Sequence, residues 1–213
     1  MRYAILFLLI FIMQSTYAEN GSMQKVLLVI AGLVPDQQGV MADVDAITGA
    51  SKNVNARLYA YTTSGIAYKI KGWLEESGCA VDVVSAESVR VDLSRYDLII
   101  VGSGVYGMSP HRSAKAFIQS NEPVLKTKRV ALFAVSGTMC TDSEKHRLKA
   151  MRFVDQMVFG LSPVSKTVFR GRVAESGPFL NWVGKRLFKS LPPRDYRDWA
   201  LIKEWTLALV AQP

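Results

Sequence analysis

Residues 96–107, Tyr96-Asp97-Leu98-Ile99-Ile100-Val101-Gly102-Ser103-Gly104-Val105-Tyr106-Gly107, decide the architecture of this chain. Residues 96–101 read as one apolar run bounded by Gly102, the mark of a strand covered on both faces rather than one with a face in water. The same pattern repeats outward. Residues 129–135 form a second buried strand ending at Ser136-Gly137, residues 80–84 a shorter one ending at Ser85-Ala86-Glu87, residues 57–61 a first strand and residues 164–173 a later one. Between them lie stretches with helical spacing: 65–77, with Ile66, Ile70, Trp73 and Leu74 on one side, then 112–119, 144–159, 179–191 and 198–210. Strands alternating with helices predict an α/β fold, a doubly wound parallel sheet with helices on both faces. Ligands of such sheets lie outside the carboxyl ends of the strands, so the loops after strands carry the function.

Three of those loops share a composition. Tyr61-Thr62-Thr63-Ser64-Gly65 is expected to join the first strand to its helix, where hydroxyls and unpaired N–H groups at a helix N-terminus make an anion site. The same residues also serve as a plain helix cap. Gly102 to Gly107 follows the central strand, and Ser136-Gly137-Thr138-Met139 follows the next. Three small, polar, glycine-bearing loops at successive strand ends suit a phosphate below and a flat ring above.

The 213 residues suffice for one domain with a full core. Lys and Arg outnumber Asp and Glu by 26 to 18, which favours anionic partners without choosing among them. The positive charges are scattered and no nucleic-acid motif accompanies them, so nucleic acid is not an expected partner. Cys79 and Cys140 form no C-x-x-C pair, and with His111 and His146 the only histidines, neither a metal site nor a hydrolytic triad is expected.

Residues 1–18 read as a secretory signal peptide: Arg2, an apolar run over residues 3–13, and Thr16-Tyr17-Ala18 before Glu19. A second apolar stretch, residues 26–34, permits two alternatives, an uncleaved anchor or a start at Met23 with this stretch as a shorter signal. Residues 19–55 are then a linker or arm, and residues 56–213 the folded domain. The expected location is exported, periplasmic or membrane-associated, with the cytoplasm as the alternative.

From residue 56 onward the chain resembles the flavodoxin-like fold, and within it the menaquinone-dependent protoporphyrinogen oxidases and their relatives. The resemblance rests on Tyr61-Thr62-Thr63-Ser64-Gly65, on Tyr96-Asp97-Leu98-Ile99-Ile100-Val101-Gly102-Ser103, on His111, and on Arg194-Asp195-Tyr196-Arg197-Asp198-Trp199 before the last helix. It implies FMN as cofactor, with Thr62, Thr63, Ser64 and Gly65 on the phosphate and Gly104, Val105, Tyr106 and Gly137 framing the ring. In the family a second Thr usually closes the phosphate loop; here Ile66-Ala67 stands instead, one donor fewer, at a cost on the order of 1 kcal/mol.

Within the arm, Asp45-Ala46-Ile47-Thr48-Gly49-Ala50-Ser51 resembles the acceptor motif at whose last hydroxyl a flavin transferase attaches FMN, which makes Ser51 a candidate for covalent flavin. Chance alone produces such a match on the order of once in a thousand chains of this length, given average residue usage. An ordinary Gly-Ala turn is the other reading. Residues 179–191 place Leu180, Val183, Leu187 and Leu191 on one stripe beside Lys185, Arg186 and Lys189, suited either to an anionic membrane surface or to packing on the sheet. Three functions fit these features: an FMN oxidoreductase passing hydrogen from a porphyrinogen or another reduced donor to a quinone at the membrane, an electron carrier serving a redox partner protein, and a binding module without catalysis.

Overall fold

The strand at the centre of the fold runs further than the apolar pattern alone suggests. In the computed structural model, which describes residues 23–31, 54–106, 108–137, 144–173 and 194–211, it spans Leu98–Tyr106 (β3). The sheet is completed by β1 (Lys25–Ile30), β2 (Ala80–Ser85), β5 (Arg129–Ser136) and β6 (Ser165–Arg170), in the order β2-β1-β3-β5-β6. All four pairings along this path are parallel. A two-residue strand, β4 (Ser109–Pro110), folds back antiparallel on β3, and β7 (Arg172–Val173) pairs with β8 (Arg194–Asp195) in a separate ribbon.

Because strand side chains alternate between faces, each strand feeds two cores. Val26, Leu28, Ile30, Leu98, Ile100, Ala131 and Phe133 face one layer, built from α1 (Val54–Glu76) and α4 (Trp199–Val210). Leu27, Val29, Ile99, Val101, Val130 and Leu132 face the other, built from α2 (Arg112–Leu125) and α3 (Glu144–Asp155). Helices on both faces explain the unbroken apolar runs: neither face of these strands meets water.

Three expectations are corrected here. The strand expected over residues 57–61 lies inside α1, and the place of the first strand is taken by Lys25–Ile30, hydrogen-bonded between β2 and β3. Val26 to Ile30 are therefore core rather than leader or anchor, each with no exposed surface. The folded unit accordingly begins well before residue 56. The helix expected over 179–191 lies outside the described residues, as do residues 1–22 and Ser51.

Between β2 and β3 only a turn of 3-10 helix at Leu93–Arg95 intervenes, capped by the Asp92 side chain accepting from the Ser94 N–H at 3.0 Å. Tyr96, next in the chain, donates its hydroxyl to Asp82 on β2 at 2.8 Å.

Candidate functional site

Strand order reverses between β1 and β3. The chain leaves β1, crosses to β2 on one side, and returns to β3 on the other, which puts the topological switch point, where ligands of such sheets bind, at the carboxyl ends of β1 and β3. The pairing register shows how far β3 extends at that point. Its last partner on β1 is Gly102, opposite Ile30, and its last on β5 is Gly104, opposite Val135. Beyond them β3 continues to Tyr106, where the fold-back of β4 pairs with it.

Ser103 braces this overhang from inside. It has no exposed surface, its Oγ accepts the His111 N–H at 2.9 Å, and its hydroxyl donates to the Gly104 carbonyl at 3.0 Å. His111 is also the N-cap of α2: its Nδ1 accepts from the Ser113 N–H at 3.4 Å and lies 2.7 Å from the Ser113 hydroxyl. The Glu87 carboxylate, from the loop after β2, stands 3.8 Å from the same nitrogen. At the hairpin Ser109 receives Lys115 Nζ at 2.9 Å and donates to Gln156 Oε1 at 3.1 Å, which pins the turn to α2 and to the end of α3. Met108 adopts φ 68°, in the left-handed region. On this braced support Tyr106 and Met108 are each 56% exposed, a large apolar surface to leave in water at this end of the sheet.

The structure therefore brings Gly104, Val105 and Tyr106 together on one rigid edge. Val105 is buried and Tyr106 exposed, and all three belong to β3 rather than to the loop expected after Gly102. Gly137 lies two residues past Val135, at the end of the neighbouring β5, so it shares this end of the sheet.

Thr62, Thr63, Ser64 and Gly65 are not in a strand-to-helix loop. They fall well inside α1, with Thr63 and Ser64 fully buried. A Cβ on Gly65 would come within 3.1 Å of Arg197 Nη1. The sequence signal misled because a hydroxyl-rich Thr-Thr-Ser-Gly run looks the same in a cap and in a helix packed against another layer. Small side chains there let α1 approach its neighbours.

That neighbour, Arg197, belongs to the 194–199 segment that carried the resemblance, but its approach to residue 65 was not expected from sequence. Its Nε donates to Asp195 Oδ1 at 2.8 Å, and its guanidinium lies 4.5 Å from the centre of the Trp199 ring. Burial opposes ionisation of Asp195, but hydrogen bonds from the Arg197 side chain and backbone, with the charges of Arg197 and Arg172, outweigh it and hold the carboxyl below the usual carboxylate range. A depressed carboxyl contributes stability that is full above its unfolded value, about 3.9, and is lost as pH falls through the folded value. Acid unfolding of Asp195→Asn is therefore expected to lack the part of the wild-type dependence that falls below about pH 4. A difference between the two proteins that persists unchanged through that range contradicts the assignment.

Among the described residues no cluster of His, Cys, Asp and Glu could hold a metal ion, and no helix is long and apolar enough to cross a membrane. Cys79 is buried with a free thiol, which burial pushes above its ordinary value.

The sequence profile of a family described as "Flavodoxin domain" matches residues 62–192, more than half of the chain. No curated protein matches. Among solved structures, oxidised flavodoxin 1 from Bacillus cereus is similar with 14% identity over 89% of this chain and 99% of its own, at a TM-score of 0.50. Flavodoxin 2 from the same organism is similar at 18% identity, with the same coverage of both chains and TM-score 0.50. A variant of the flavo di-iron protein from Thermotoga maritima is similar at 14% identity over 91% of this chain but only 37% of its own, at TM-score 0.50. At these identities the likeness is one of fold.

Proposed function

Since the chain belongs to the flavodoxin-domain family, we propose that it binds FMN at the carboxyl end of its parallel sheet and serves in electron transfer. The observation that carries this reading is the overhang of β3 beside the point where strand order reverses, with Tyr106 exposed on a support braced by Ser103 and His111. A flat, partly apolar ring finds there an aromatic side chain to stack on. FMN when bound supplies the redox chemistry; the protein supplies binding, orientation and shielding from water.

The phosphate end is assigned differently from the expectation drawn from sequence. With Thr63 and Ser64 buried in α1, the phosphate is assigned instead to the carboxyl end of β1, beyond Ile30. The chain's formal charge of +8 favours the anion.

Titration of FMN with the full chain is expected to quench flavin fluorescence with a one-to-one endpoint. Tyr106→Ala should weaken affinity about tenfold, the loss of one stacking contact. Thr62→Ala should leave the ratio of FMN to riboflavin affinity unchanged. A chain that quenches neither flavin sinks the proposal, and a collapse of that ratio in Thr62→Ala returns the phosphate to the helix.

A covalent form of the same site is supported by Asp45-Ala46-Ile47-Thr48-Gly49-Ala50-Ser51, which falls in the connection between β1 and α1. Ser51 stands three residues before Val54, so the backbone from the start of α1 to it spans at most about 11 Å. Co-expression with a flavin transferase, followed by denaturation, should leave flavin fluorescence on the polypeptide, and Ser51→Ala should remove it. Fluorescence that washes away from the wild-type chain confines the protein to non-covalent FMN.

Hydrogen transfer from a porphyrinogen to a quinone, at a membrane and after export, is the finer reading. It is supported by the resemblance of residues 96–103, His111 and residues 194–199.

A further inference from the structure

Helix α3 carries a stripe of positive charge that the site does not use. Lys145, Lys149 and Arg152 recur at the spacing of one helix face, and each is exposed. No carboxylate among the described residues pairs with them; the acidic residues of α3 are engaged elsewhere, Glu144 with Arg147 at 2.9 Å and Asp155 with Lys166 at 2.6 Å. The stripe continues to Gln156, whose backbone N–H donates to the Arg152 carbonyl at 3.2 Å and whose side chain accepts from Ser109 of the hairpin. Lys115 reaches the same Ser109 from α2. Leu148 is 57% exposed among the three cations. From Leu148 to Gln156 the helix rises about 12 Å. The exposed Tyr106 and Met108 therefore fall within the footprint of one protein interface, about 800 Å² per partner.

We infer that this surface, with Tyr106, Met108 and Leu148 at its apolar points and Lys115, Lys145, Lys149 and Arg152 around them, docks an acidic protein at the mouth of the proposed flavin site. The inference deepens that proposal and rests on it for the reason a partner approaches here. An anionic bilayer fits less well. A helix lying in a membrane interface needs a broad apolar face, and the apolar face of α3, with Ala150, Phe153 and Val154, is already buried in the core. What α3 offers outward is fixed charge on a rigid scaffold, the arrangement that steers and orients a charged protein partner.

The test uses the full chain and a fluorescent oligoglutamate peptide, read by anisotropy. Lys145→Glu/Lys149→Glu/Arg152→Glu is compared with Lys69→Glu/Arg95→Glu/Lys203→Glu, which changes net charge equally on other exposed surfaces. The stripe variant is expected to raise the peptide Kd at least about tenfold and the control less than about twofold. The Gln triple at the same three stripe positions should fall between wild type and the Glu triple. Equal losses in the two Glu variants overturn the inference, leaving net charge alone. So does selective loss of binding to phosphatidylserine-containing vesicles with peptide binding intact, which makes the stripe a membrane contact. FMN titration of the stripe variant should match wild type. If no chain binds FMN, the flavin reading fails while the peptide comparison still reports on the docking surface.

Discussion

A chain lacking residues 1–31 is expected not to fold, whereas one lacking residues 1–22 is expected to fold as the full chain does. Both outcomes follow from the position of β1. Its five residues from Val26 to Ile30 have no exposed surface and contribute to the cores on both faces of the sheet. At about 1.5–3 kcal/mol for each large apolar side chain buried, they sum to on the order of 10 kcal/mol, comparable with the whole net stability of a domain. Their loss also strips hydrogen-bond partners from β2 and β3 at once. Met23, by contrast, is 62% exposed, and the first backbone contact of this segment with the sheet is the Gln24 carbonyl accepting from the Ala80 N–H at 2.9 Å. Circular dichroism and thermal unfolding of the two truncations decide the matter. A cooperative transition in the shorter chain would return residues 26–34 to the role of anchor, and its absence in the longer one would show that residues 1–22 belong to the fold.

The second large effect is expected at Gly102. A Cβ there would lie 2.2 Å from Phe133 Cζ, a separation real Cβ atoms do not tolerate, and the obstacle is the body of a ring. Phe133 cannot swing aside cheaply: it is fully buried, with ring centres 5.6 Å from Phe169 and 6.0 Å from Trp205. Trp205 is itself tied to Ser165 by its indole N–H at 2.8 Å. Gly102→Ala is therefore an overpacking change that displaces an aromatic cluster or the backbone of β3, at a cost of about 3 kcal/mol. Gly102→Val should be worse. The measurement is urea unfolding with Trp fluorescence. If Phe133→Leu is introduced as well, most of the loss in Gly102→Ala should be recovered, because the obstructing ring is gone. Stability of Gly102→Ala equal to wild type contradicts the close packing described.

How much of this was legible beforehand differs from segment to segment for physical reasons. Leu98 to Val101 and residues 129–135 announced themselves because a strand buried on both faces has to be apolar throughout. Lys25–Ile30 has the same property, yet an apolar run near the start of a chain also has the character of a leader or anchor. Residues 57–61 misled in the opposite direction. Arg57-Leu58-Tyr59-Ala60-Tyr61 reads as a short strand, but helix α1 runs through it from Val54 to Glu76. Short windows do not separate the two periods. At the site, Tyr106 and the small residues around it were readable as candidates, since glycines and an aromatic after a buried strand suit a flat ligand. The supports were not. Ser103 accepting from the His111 N–H, Gln156 bound to Ser109, and Arg197 set against Gly65 join residues 8, 47 and 132 positions apart, and no local pattern encodes such pairs.

Amide hydrogen exchange of the full chain with and without FMN tests the central claim most directly, because it reports where the flavin sits as well as whether it binds. Added FMN is predicted to raise protection at residues 103–111, around the overhang and hairpin, and at residues 136–137 at the end of β5, with residues 66–76 of α1 unchanged. No change in protection at saturating FMN, or protection confined to α1 and the ribbon of β7 and β8, would contradict it.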